Sequence, residues 1–580
     1  MTRFPRDTSS FKDIIEDGYV YVDKTDFLYK ILTGDDKNFF LSRPRRFGKS
    51  LFLDTIDEIF QGDENNFKDL KIGKMGYDFK KHPVLKFDMN LASGSPKELK
   101  TSILGMLRSM AEDKKVKLQS TSYDITLSDL IKYVYNKYEE KVVILIDEYD
   151  DPVSSHAENL TLAKKNAEVL RTFYSRFKSS NNIIRLAFVT GVTRYAMMGI
   201  STGFNHLVDL TLNKDYAAIC GFTHHEMDLY FGHLYPKVLE TVVNSVQYKQ
   251  SRLLEKNKSV DFGGVPLSGD PTVSALNTEA DLRDEILRWY DGYTWDGVTK
   301  VLNPVSLLYF FKTRSFDTFW NYSGDAESFL KNIFKSSPLS FTKDMLARVP
   351  KRDLTTVKVD ELKPIPLLFQ TGYLTVEKIL GGKHEVPYSF KVPNHEIYGD
   401  YVRLLAKAVS NETINDINKE ILILQNSISD HDSESLSQLF ESHYSQLSAE
   451  QHARYGNETD LRLKEKLTEF FYSDIIFLYL RTLIGKKVKA DEPGIYGNPD
   501  LTLQLSDHDY AIIEIKYAAG TGRPDASEVL NNLAKKALDA IKNKKYGVQY
   551  RKKGDRVTSI GMGIFGRGKV KIIFGNDENN

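Results

Sequence analysis

A basic loop between a short apolar stretch and a helix constrains the fold of this chain most strongly. Residues 38–53 read NFFLSRPRRFGKSLFL. The apolar run Phe39–Leu41 predicts a strand, and apolar residues recur at helical spacing from Phe52 to Phe60. A strand, a loop and a helix N-terminus in this order predict a phosphate-binding P-loop, because inward-turned amides and the positive end of the helix dipole attract anions.

The residues of the loop divide the expected work between them. Lys49 is expected to reach the β- and γ-phosphates of a nucleotide, and the hydroxyl of Ser50 to hold Mg²⁺. Arg43 stands where the first glycine of a P-loop belongs, so a basic surface turn is the alternative reading. The remaining predicted nucleotide contacts are the loop residues Arg45, Arg46, Phe47 and Gly48.

A second stretch ends a wholly apolar run in two acids. Residues 141–151 read KVVILIDEYDD, and the run from Val142 to Ile146 is typical of a parallel strand covered on both faces. An acid at the end of a buried strand is costly unless it has a partner or a task. We expect Asp147 to bind Mg²⁺ through water and Glu148 to polarise the attacking water. The alternative is a strand that exits to solvent through acids.

Further apolar runs alternate with helical patterns. Strands are predicted at 83–88, 183–189 and 206–212, which favours a doubly wound parallel α/β sheet. By analogy with ATPases that carry a glutamate after the magnesium acid, the strand 183–189 is predicted between the P-loop strand and the Asp147 strand. Arg194, just beyond this strand, either senses the γ-phosphate or forms a structural salt bridge.

Several phrases of the sequence resemble a known family. RPRRFGKS, VILIDEYD and TGVTRYA are similar to phrases of AAA-ATPase-like proteins with a C-terminal PD-(D/E)XK nuclease-like domain. Further phrases follow in the family's order over nearly the whole chain, namely YVDKT, ICGFT, WYDGY, NPVSLL, LLFQTGYLT and VPNHEI. The resemblance implies an ATPase, with ATP and Mg²⁺ as cofactors, fused to a nuclease-like fold. The family loop also carries an arginine in place of the first glycine.

A strand, a polar turn and a second strand are predicted between residues 497 and 517, GNPDLTLQLSDHDYAIIEIKY. Glu514 and Lys516 share one face of the second strand. With Asp500 they resemble the PD-(D/E)XK signature, in which the Asp and Glu bind Mg²⁺ and the Lys positions or activates water. Glu469, on an apolar helix, would complete the site, and Glu492 is a second candidate. The alternative is an exposed charged strand edge.

The register of this hairpin decides whether a metal site can form. With a turn over residues 506–509, Leu505 pairs with Tyr510 and Asp500 lies opposite Ile515. Cross-strand partners share a face, so Asp500 would then point away from Glu514. We therefore predict a shift of one residue, produced by an odd-length turn or a β-bulge.

The chain is too long for one hydrophobic core. The predicted fold class is α/β, with a P-loop NTPase domain over residues 1–285 and a helical, winged-helix-like lid region over 286–400. A helical spacer is predicted over 401–455, followed by a restriction-endonuclease-like α/β domain of the PD-(D/E)XK type over 456–580.

Composition limits the partners. Lys+Arg and Asp+Glu both number 79, so bulk charge gives no argument for nucleic-acid binding and only a local patch would serve. Nucleic acid is nevertheless the partner we expect, DNA in preference to RNA, and an oligomer is left open. No apolar run approaches the ~20 residues that cross a bilayer. We expect no membrane association and a cytoplasmic protein, or a nuclear one if the source is eukaryotic.

Two functions of different classes remain open. The first is an ATPase whose nuclease-like domain cleaves nucleic-acid phosphodiesters with a metal ion. The second is a nucleotide-dependent switch or scaffold whose nuclease fold binds without cleaving, or an inactive relic. Ala540, which stands where relatives often have glutamine, favours the second.

Overall fold

The chain separates into two compact units. The first comprises Met1–Val242, Leu276–Ile333 and Lys343–Tyr398, and the second comprises Val243–Ala275, Phe334–Thr342 and Gly399–Asn580. The computed structural model describes residues 3–5, 8–156, 159–194, 197–245, 248, 275–320, 349–355, 364–380, 387–398, 401, 414–445, 468–469, 472–473, 476–477, 479–480, 488–490, 498–505, 508–519 and 526–575.

The first unit is built on a five-stranded parallel sheet in the order β2-β3-β4-β1-β5. All of β3 is buried, as its unbroken apolar sequence predicts. The strands are β1 (Asn38–Ser42), β2 (Val84–Asp88), β3 (Val142–Asp147), β4 (Ile184–Gly191) and β5 (Val208–Asp209). This parallel α/β sheet agrees with a P-loop-like domain.

The strand order confirms one specific prediction. β4 pairs with β1 on one side and with β3 on the other, so it lies between the P-loop strand and the strand that ends in Asp147. The carboxyl ends of parallel strands meet at one edge of a sheet. The residues that follow β1, β3 and β4 are therefore neighbours at that edge.

The helices around this sheet follow the apolar periodicity of the sequence. The P-loop helix, Lys49–Gln61, buries Phe52, Ile56 and Ile59. The main helices are Phe11–Glu16, Thr25–Thr33, Pro96–Asp113, Tyr123–Tyr138, Leu160–Ser175, Met197–Gly203, His224–Phe231 and Tyr235–Asn244, with short ones at Lys71–Lys74 and Asp151–Ser154. Helix Leu160–Ser175 continues directly into a 3-10 helix, Arg176–Ile183.

The middle of the chain contributes a small antiparallel sheet to the first unit. Its order is β6-β8-β7, and β7 and β8 pair as antiparallel neighbours. Whether this region is a winged-helix-like lid stays a prediction. The strands are β6 (Val349–Pro350), β7 (Thr375–Ile379) and β8 (Pro387–Lys391), and the helices are Glu279–Tyr290, Pro304–Thr313, Lys351–Thr355 and Pro364–Thr371.

The second unit contains a mixed five-stranded sheet in the order β13-β12-β11-β10-β9. Only β11 and β12 are parallel, and the other neighbours are antiparallel. The strands are β9 (Val488–Ala490), β10 (Leu501–Gln504), β11 (Asp509–Ala518), β12 (Arg556–Phe565) and β13 (Lys569–Phe574). The helices are Ile414–Ser429, Ser433–Ser445, Ala526–Asn543 and Val548–Arg551.

Two helices pack directly on this sheet. Ala526–Asn543 lies so close to β12 that a Cβ at Gly561 would come within 2.2 Å of the Ala534 carbonyl oxygen. Ser433–Ser445 lies along β13, where the hydroxyl of Ser437 accepts a hydrogen bond from the Ile572 amide at 3.1 Å. The residues expected to form a spacer over 401–455 thus supply a helix that is packed on the second unit's sheet.

Candidate functional sites

The loop after β1 has the conformation that phosphate binding requires. Arg46 and Gly48 have left-handed backbone angles, with φ of 67° and 88°. Left-handed residues that alternate with ordinary ones turn successive amides toward one point and make a concave site for anions. Gly48 is the N-cap of the P-loop helix, which adds the positive end of the helix dipole.

Arg43, at the position of the missing glycine, is fully buried. It is a structural strut, which here means that its side chain links separate backbone segments. Its guanidinium donates to the carbonyl oxygens of Ser42 at 2.9 Å, Thr211 at 3.0 Å and Tyr216 at 3.2 Å. The guanidinium carbon also lies 3.9 Å from the ring centre of Trp295. Burial lowers the pKa of Arg43 to about 10, so the side chain remains charged at neutral pH.

Lys49 has the placement of a phosphate-binding lysine. Its side chain is only 3% exposed, and its ammonium donates to the Pro44 carbonyl oxygen at 3.2 Å. The same ammonium lies 3.6 Å from Glu148 Oε1. A buried ammonium needs an anionic partner, and a nucleotide phosphate would serve as a second one. The structure therefore brings together the predicted phosphate ligand and the predicted water-activating acid.

Asp147, the predicted magnesium acid, is held by its neighbours. Its Oδ1 accepts hydrogen bonds from the Thr190 hydroxyl at 2.6 Å and from the Glu148 amide at 3.0 Å. Thr190 lies at the end of β4, so it is the polar strand-end residue that reaches this acid. Thr190 is not among the site residues predicted from the sequence, although its position just before Gly191 in the TGVTR phrase marks it as a polar residue at a strand end.

A second acid of the same loop is more deeply buried. Asp150 accepts hydrogen bonds from the amides of Val192 at 3.1 Å and Thr193 at 2.6 Å, and from the Thr193 hydroxyl. Burial, together with the nearby charge of Glu148, raises the pKa of Asp150 to about 6. Asp150 thereby ties the loop after β3 to the loop after β4.

Arg194 forms a salt bridge, which is one of the two roles expected for it. Its guanidinium forms an ion pair with Asp209 at the end of β5, and its side chain is 3% exposed. Its backbone amide donates to the side-chain oxygen of Gln370 at 3.1 Å. Arg194 does not line the cavity described next, so contact with a γ-phosphate would require it to leave Asp209.

A cavity of about 370 Å³ begins at the P-loop. Its volume is within the range of small-molecule sites. Its walls combine polar groups of the P-loop with a larger apolar part. They come from residues between 4 and 24, from 46–52, from Glu148, and from the segments 219–222 and 304–312.

The distant walls of this cavity could not be assigned from the sequence. The Phe222 and Leu302 backbones pair, which brings helix Pro304–Thr313 beside the segment 219–222. Lys24, in the YVDKT phrase, lines the cavity and pairs with Glu226 at 2.6 Å. Tyr21 lines the cavity, and its ring centre lies 5.1 Å from that of Phe11.

In the second unit, the hairpin has the shifted register that a metal site requires. Leu501 pairs with Ile513, and Gln504 pairs with Tyr510. The Leu505 amide donates to the Asp509 carbonyl oxygen at 2.7 Å, so the turn contains an odd number of residues. The same register places Asp500 opposite Glu514 and on the same face. The predicted one-residue shift is confirmed, with an odd-length turn as its cause.

Glu514 is the buried centre of a charged cluster. Its Oε1 lies 3.4 Å from Lys516 Nζ and 3.8 Å from Lys544 Nζ. Its Oε2 is buried and accepts no hydrogen bond from the part of the chain that the structure describes. Lys516 Nζ also donates to Glu469 Oε1 at 3.0 Å, so the helical acid faces the strand pair as expected.

The electrostatics of this cluster suit a cation. Burial, together with the charge of Glu514, raises the pKa of Asp500 to about 7. Burial alone would lower the pKa of Lys516, but Glu469, Asp500 and Glu514 raise it overall, so Lys516 is an ammonium at neutral pH. Two adjacent carboxylates and an unsatisfied buried oxygen are the donor set that a hard divalent ion binds.

The number of protein ligands for such an ion is small. Within the described ranges, no group of three or more His, Cys, Asp or Glu side chains is arranged to hold a metal. An ion at Asp500 and Glu514 would therefore be completed by water, which is usual for Mg²⁺. Glu492, the second candidate for the helical acid, lies outside the described residues.

Comparison with known proteins supports an ATPase-like domain in the N-terminal part of the first unit. A family model described as "Predicted AAA-ATPase" matches residues 5–201. The chain is also 27% identical over 566 residues to a protein of Azotobacter chroococcum mcd 1, described as an uncharacterized protein in the vnfD 5' region. That alignment covers 97% of this chain and 96% of the relative. The family match suggests nucleotide binding by the P-loop part of the chain.

Among the residues that the structure describes, none of the helices combines the length and the apolar character needed to cross a bilayer.

Proposed function

We propose that the first unit binds ATP with Mg²⁺ and hydrolyses it. The observation that carries this proposal is the cavity, which runs from the P-loop amides and the buried Lys49 ammonium into an apolar pocket. A nucleotide has the matching chemistry, with anionic phosphates at one end and an apolar base at the other. The family match over residues 5–201 supports the same reading.

Each residue of this site has a separate role in the proposal. The amides of Arg45, Arg46, Phe47 and Gly48 surround the phosphates, and Lys49 neutralises their charge. Ser50 and Asp147 hold Mg²⁺, which offsets charge on the phosphates. Glu148 accepts a proton from the attacking water, a task for which it must first release Lys49. Arg194 is assigned to the γ-phosphate only if it exchanges Asp209 for the nucleotide.

Calorimetry on the full chain tests ATP binding. Lys49→Ala is expected to abolish binding because it removes the ammonium that faces the phosphates. Lys132→Ala, at an exposed position of helix Tyr123–Tyr138, is the matched control and should bind like the parent. Unchanged ATP affinity in Lys49→Ala would refute the P-loop assignment.

Hydrolysis is tested separately from binding. Glu148→Gln keeps the size and the amide geometry of the loop but removes the carboxylate. We expect ATP affinity to be retained and turnover to fall by roughly 10²–10⁴-fold, the usual contribution of a general base. Turnover at the parent rate would show that Glu148 is not the base.

We further propose that the second unit cleaves nucleic-acid phosphodiesters with a divalent ion. Support comes from the hairpin register, which places Asp500 opposite Glu514, and from the unsatisfied Glu514 Oε2. Asp500 and Glu514 would hold the ion, and the Lys516 ammonium, fixed by Glu469, would position water or phosphate. Because Lys516 is charged, we assign it positioning rather than proton abstraction.

The rival function is a nucleotide-dependent switch whose second unit binds nucleic acid without cleaving it. Purified chain should be incubated with labelled single- and double-stranded DNA and RNA, with Mg²⁺, Mn²⁺ and ATP each varied. Cleavage that needs the metal and disappears in Asp500→Asn supports the nuclease. Binding without cleavage, equal in the parent and Asp500→Asn, supports the switch.

A further inference from the structure

A second lysine reaches the acid cluster of the second unit from helix Ala526–Asn543. Lys544 follows this helix directly, and its amide donates to the Ala540 carbonyl oxygen at 3.0 Å. Its ammonium lies 3.8 Å from Glu514 Oε1. Sequence reasoning did not single out Lys544, because only the packing of the helix on the sheet brings it to β11.

The two lysines of the cluster differ in how they are held. Lys516 Nζ is fixed by the Glu469 carboxylate at 3.0 Å and by the Ile515 carbonyl oxygen at 2.7 Å, and its side chain is 30% exposed. Lys544 is 52% exposed, and the Tyr546 ring centre lies 5.4 Å from its ammonium. Lys516 therefore belongs to the floor of the cluster, whereas Lys544 lies at its solvent side.

Lys544 has the properties of a substrate contact. Its ammonium is too far from Glu514 for a short hydrogen bond, so the attraction between them is mainly electrostatic. A divalent ion bound by Glu514 and Asp500 would satisfy that carboxylate and weaken its pull on Lys544. The ammonium would then face solvent beside the metal, where a backbone phosphate of nucleic acid is the complementary anion.

We propose that Lys544 contacts a phosphate of the nucleic-acid backbone next to the bond that is cleaved. The proposal rests on the nuclease function proposed above for the second unit. Ala540, one turn earlier, has no polar side-chain atom, whereas Lys544 brings an ammonium beside Glu514 at this end of the helix. The contact is with the backbone and carries no sequence preference.

The test measures how salt weakens DNA binding by the full chain. Fluorescence anisotropy of labelled single- and double-stranded DNA is recorded in Ca²⁺, a hard cation that takes the same oxygen ligands. Lys544→Met keeps most of the aliphatic length of the side chain and removes the charge. Lys536→Met, at an exposed position of the same helix, is the matched control.

Loss of one phosphate contact lowers the slope of log affinity against log salt by about 0.7–0.9. We expect this change in Lys544→Met but not in Lys536→Met, with recovery of the slope in Lys544→Arg. In Mg²⁺, kcat/KM for DNA cleavage should fall roughly tenfold or more in Lys544→Met, as expected for a lost charge-assisted hydrogen bond. Mn²⁺ affinity should not fall in this variant, because Lys544 is not a ligand.

The outcomes separate this inference from the function on which it rests. If the parent cleaves DNA and Lys544→Met has the parent's salt slope and kcat/KM, the inference about Lys544 is refuted. If Lys544→Met and Lys536→Met lose the same increment, the contact is nonspecific and the inference is again refuted. If the parent neither binds nor cleaves DNA or RNA, the nuclease proposal itself fails.

Discussion

Arg43→Gly would introduce the glycine that a P-loop usually has at this position. We nevertheless expect the substitution to destabilise the first unit. In the structure, Arg43 is a fully buried strut whose guanidinium donates to the Thr211 and Tyr216 carbonyl oxygens as well as to its neighbour Ser42. Glycine removes these donors and the contact with Trp295, and it takes from the buried Thr211 carbonyl oxygen the guanidinium that donates to it.

The magnitude follows from these contacts. A hydrogen bond to a charged group contributes about 1.5–3 kcal/mol, and the stacked contact with Trp295 contributes about 0.5–2 kcal/mol. Their sum would overestimate the loss, because removing the guanidinium also removes the cost of burying its charge. We therefore expect Arg43→Gly to lower the free energy of unfolding of the first unit by about 3–5 kcal/mol, against a typical total of about 5–15 kcal/mol.

Tryptophan fluorescence during urea unfolding can measure this loss in the first unit alone. The chain has 3 tryptophans, and Trp289, Trp295 and Trp320 all lie in the first unit. Arg108→Ala, at an exposed position of helix Pro96–Asp113, is the control and should shift the midpoint little. An unchanged midpoint in Arg43→Gly, or tighter ATP binding, would refute the assignment of Arg43 as a strut.

Two further predictions use the same structure. A Cβ at Gly191 would lie 2.2 Å from Asp150 Oδ1, so Gly191→Ala should destabilise the first unit by about 1–3 kcal/mol, whereas Gly105→Ala, with open space around it in a helix, should stabilise by about 0.4–1 kcal/mol in the same urea titration. At the second unit, the pKa of Asp500 is about 7, so protons compete with Mn²⁺ below that pH. Mn²⁺ affinity measured by calorimetry should rise up to about tenfold per pH unit from pH 5 toward 7 and then level off, and a flat profile would contradict Asp500 as a ligand. In the absence of metal, the folded pKa lies above the unfolded value of about 3.9, so this group's contribution to stability is fully present below pH ~4 and is lost as the pH rises through about 7.

The central strands of the first sheet could be predicted because their signals are local. An unbroken apolar run such as Val142–Ile146 is typical of a parallel strand covered on both faces, and the structure buries all of it. The placement of β4 came from analogy between ATPases rather than from local sequence, and the observed order agrees. Lys49 and Glu148 follow β1 and β3, so the order of the strands was sufficient to expect them at one edge.

The partners of the buried arginines could not be predicted in the same way. Arg43 contacts Tyr216 and Trp295, and Arg194 contacts Asp209. These partners belong to other segments of the chain and come close to the arginines only in the folded sheet. The outer wall of the cavity could not be predicted either, because its residues near 220 and near 305 are far apart in the sequence. The backbone pairing of Phe222 with Leu302 brings them together. The sequence alone does not distinguish a charged residue that stabilises the fold from one that binds a ligand.

The hairpin of the second unit could be predicted in part. The number of residues between Asp500 and Glu514 showed that a metal site requires an odd-length turn or a β-bulge. Side chains alternate along a strand, so the parity of the turn alone decides whether Asp500 and Glu514 share a face. An even turn would shift the pairing by one residue and would move the side chains of β10 to the opposite face relative to those of β11. The odd turn places Asp500 opposite Glu514, where burial and the charge of Glu514 raise the pKa of Asp500. Two buried carboxylates on one face need neighbouring positive charge, which Lys516 and Lys544 supply in part and which the proposed divalent ion would complete.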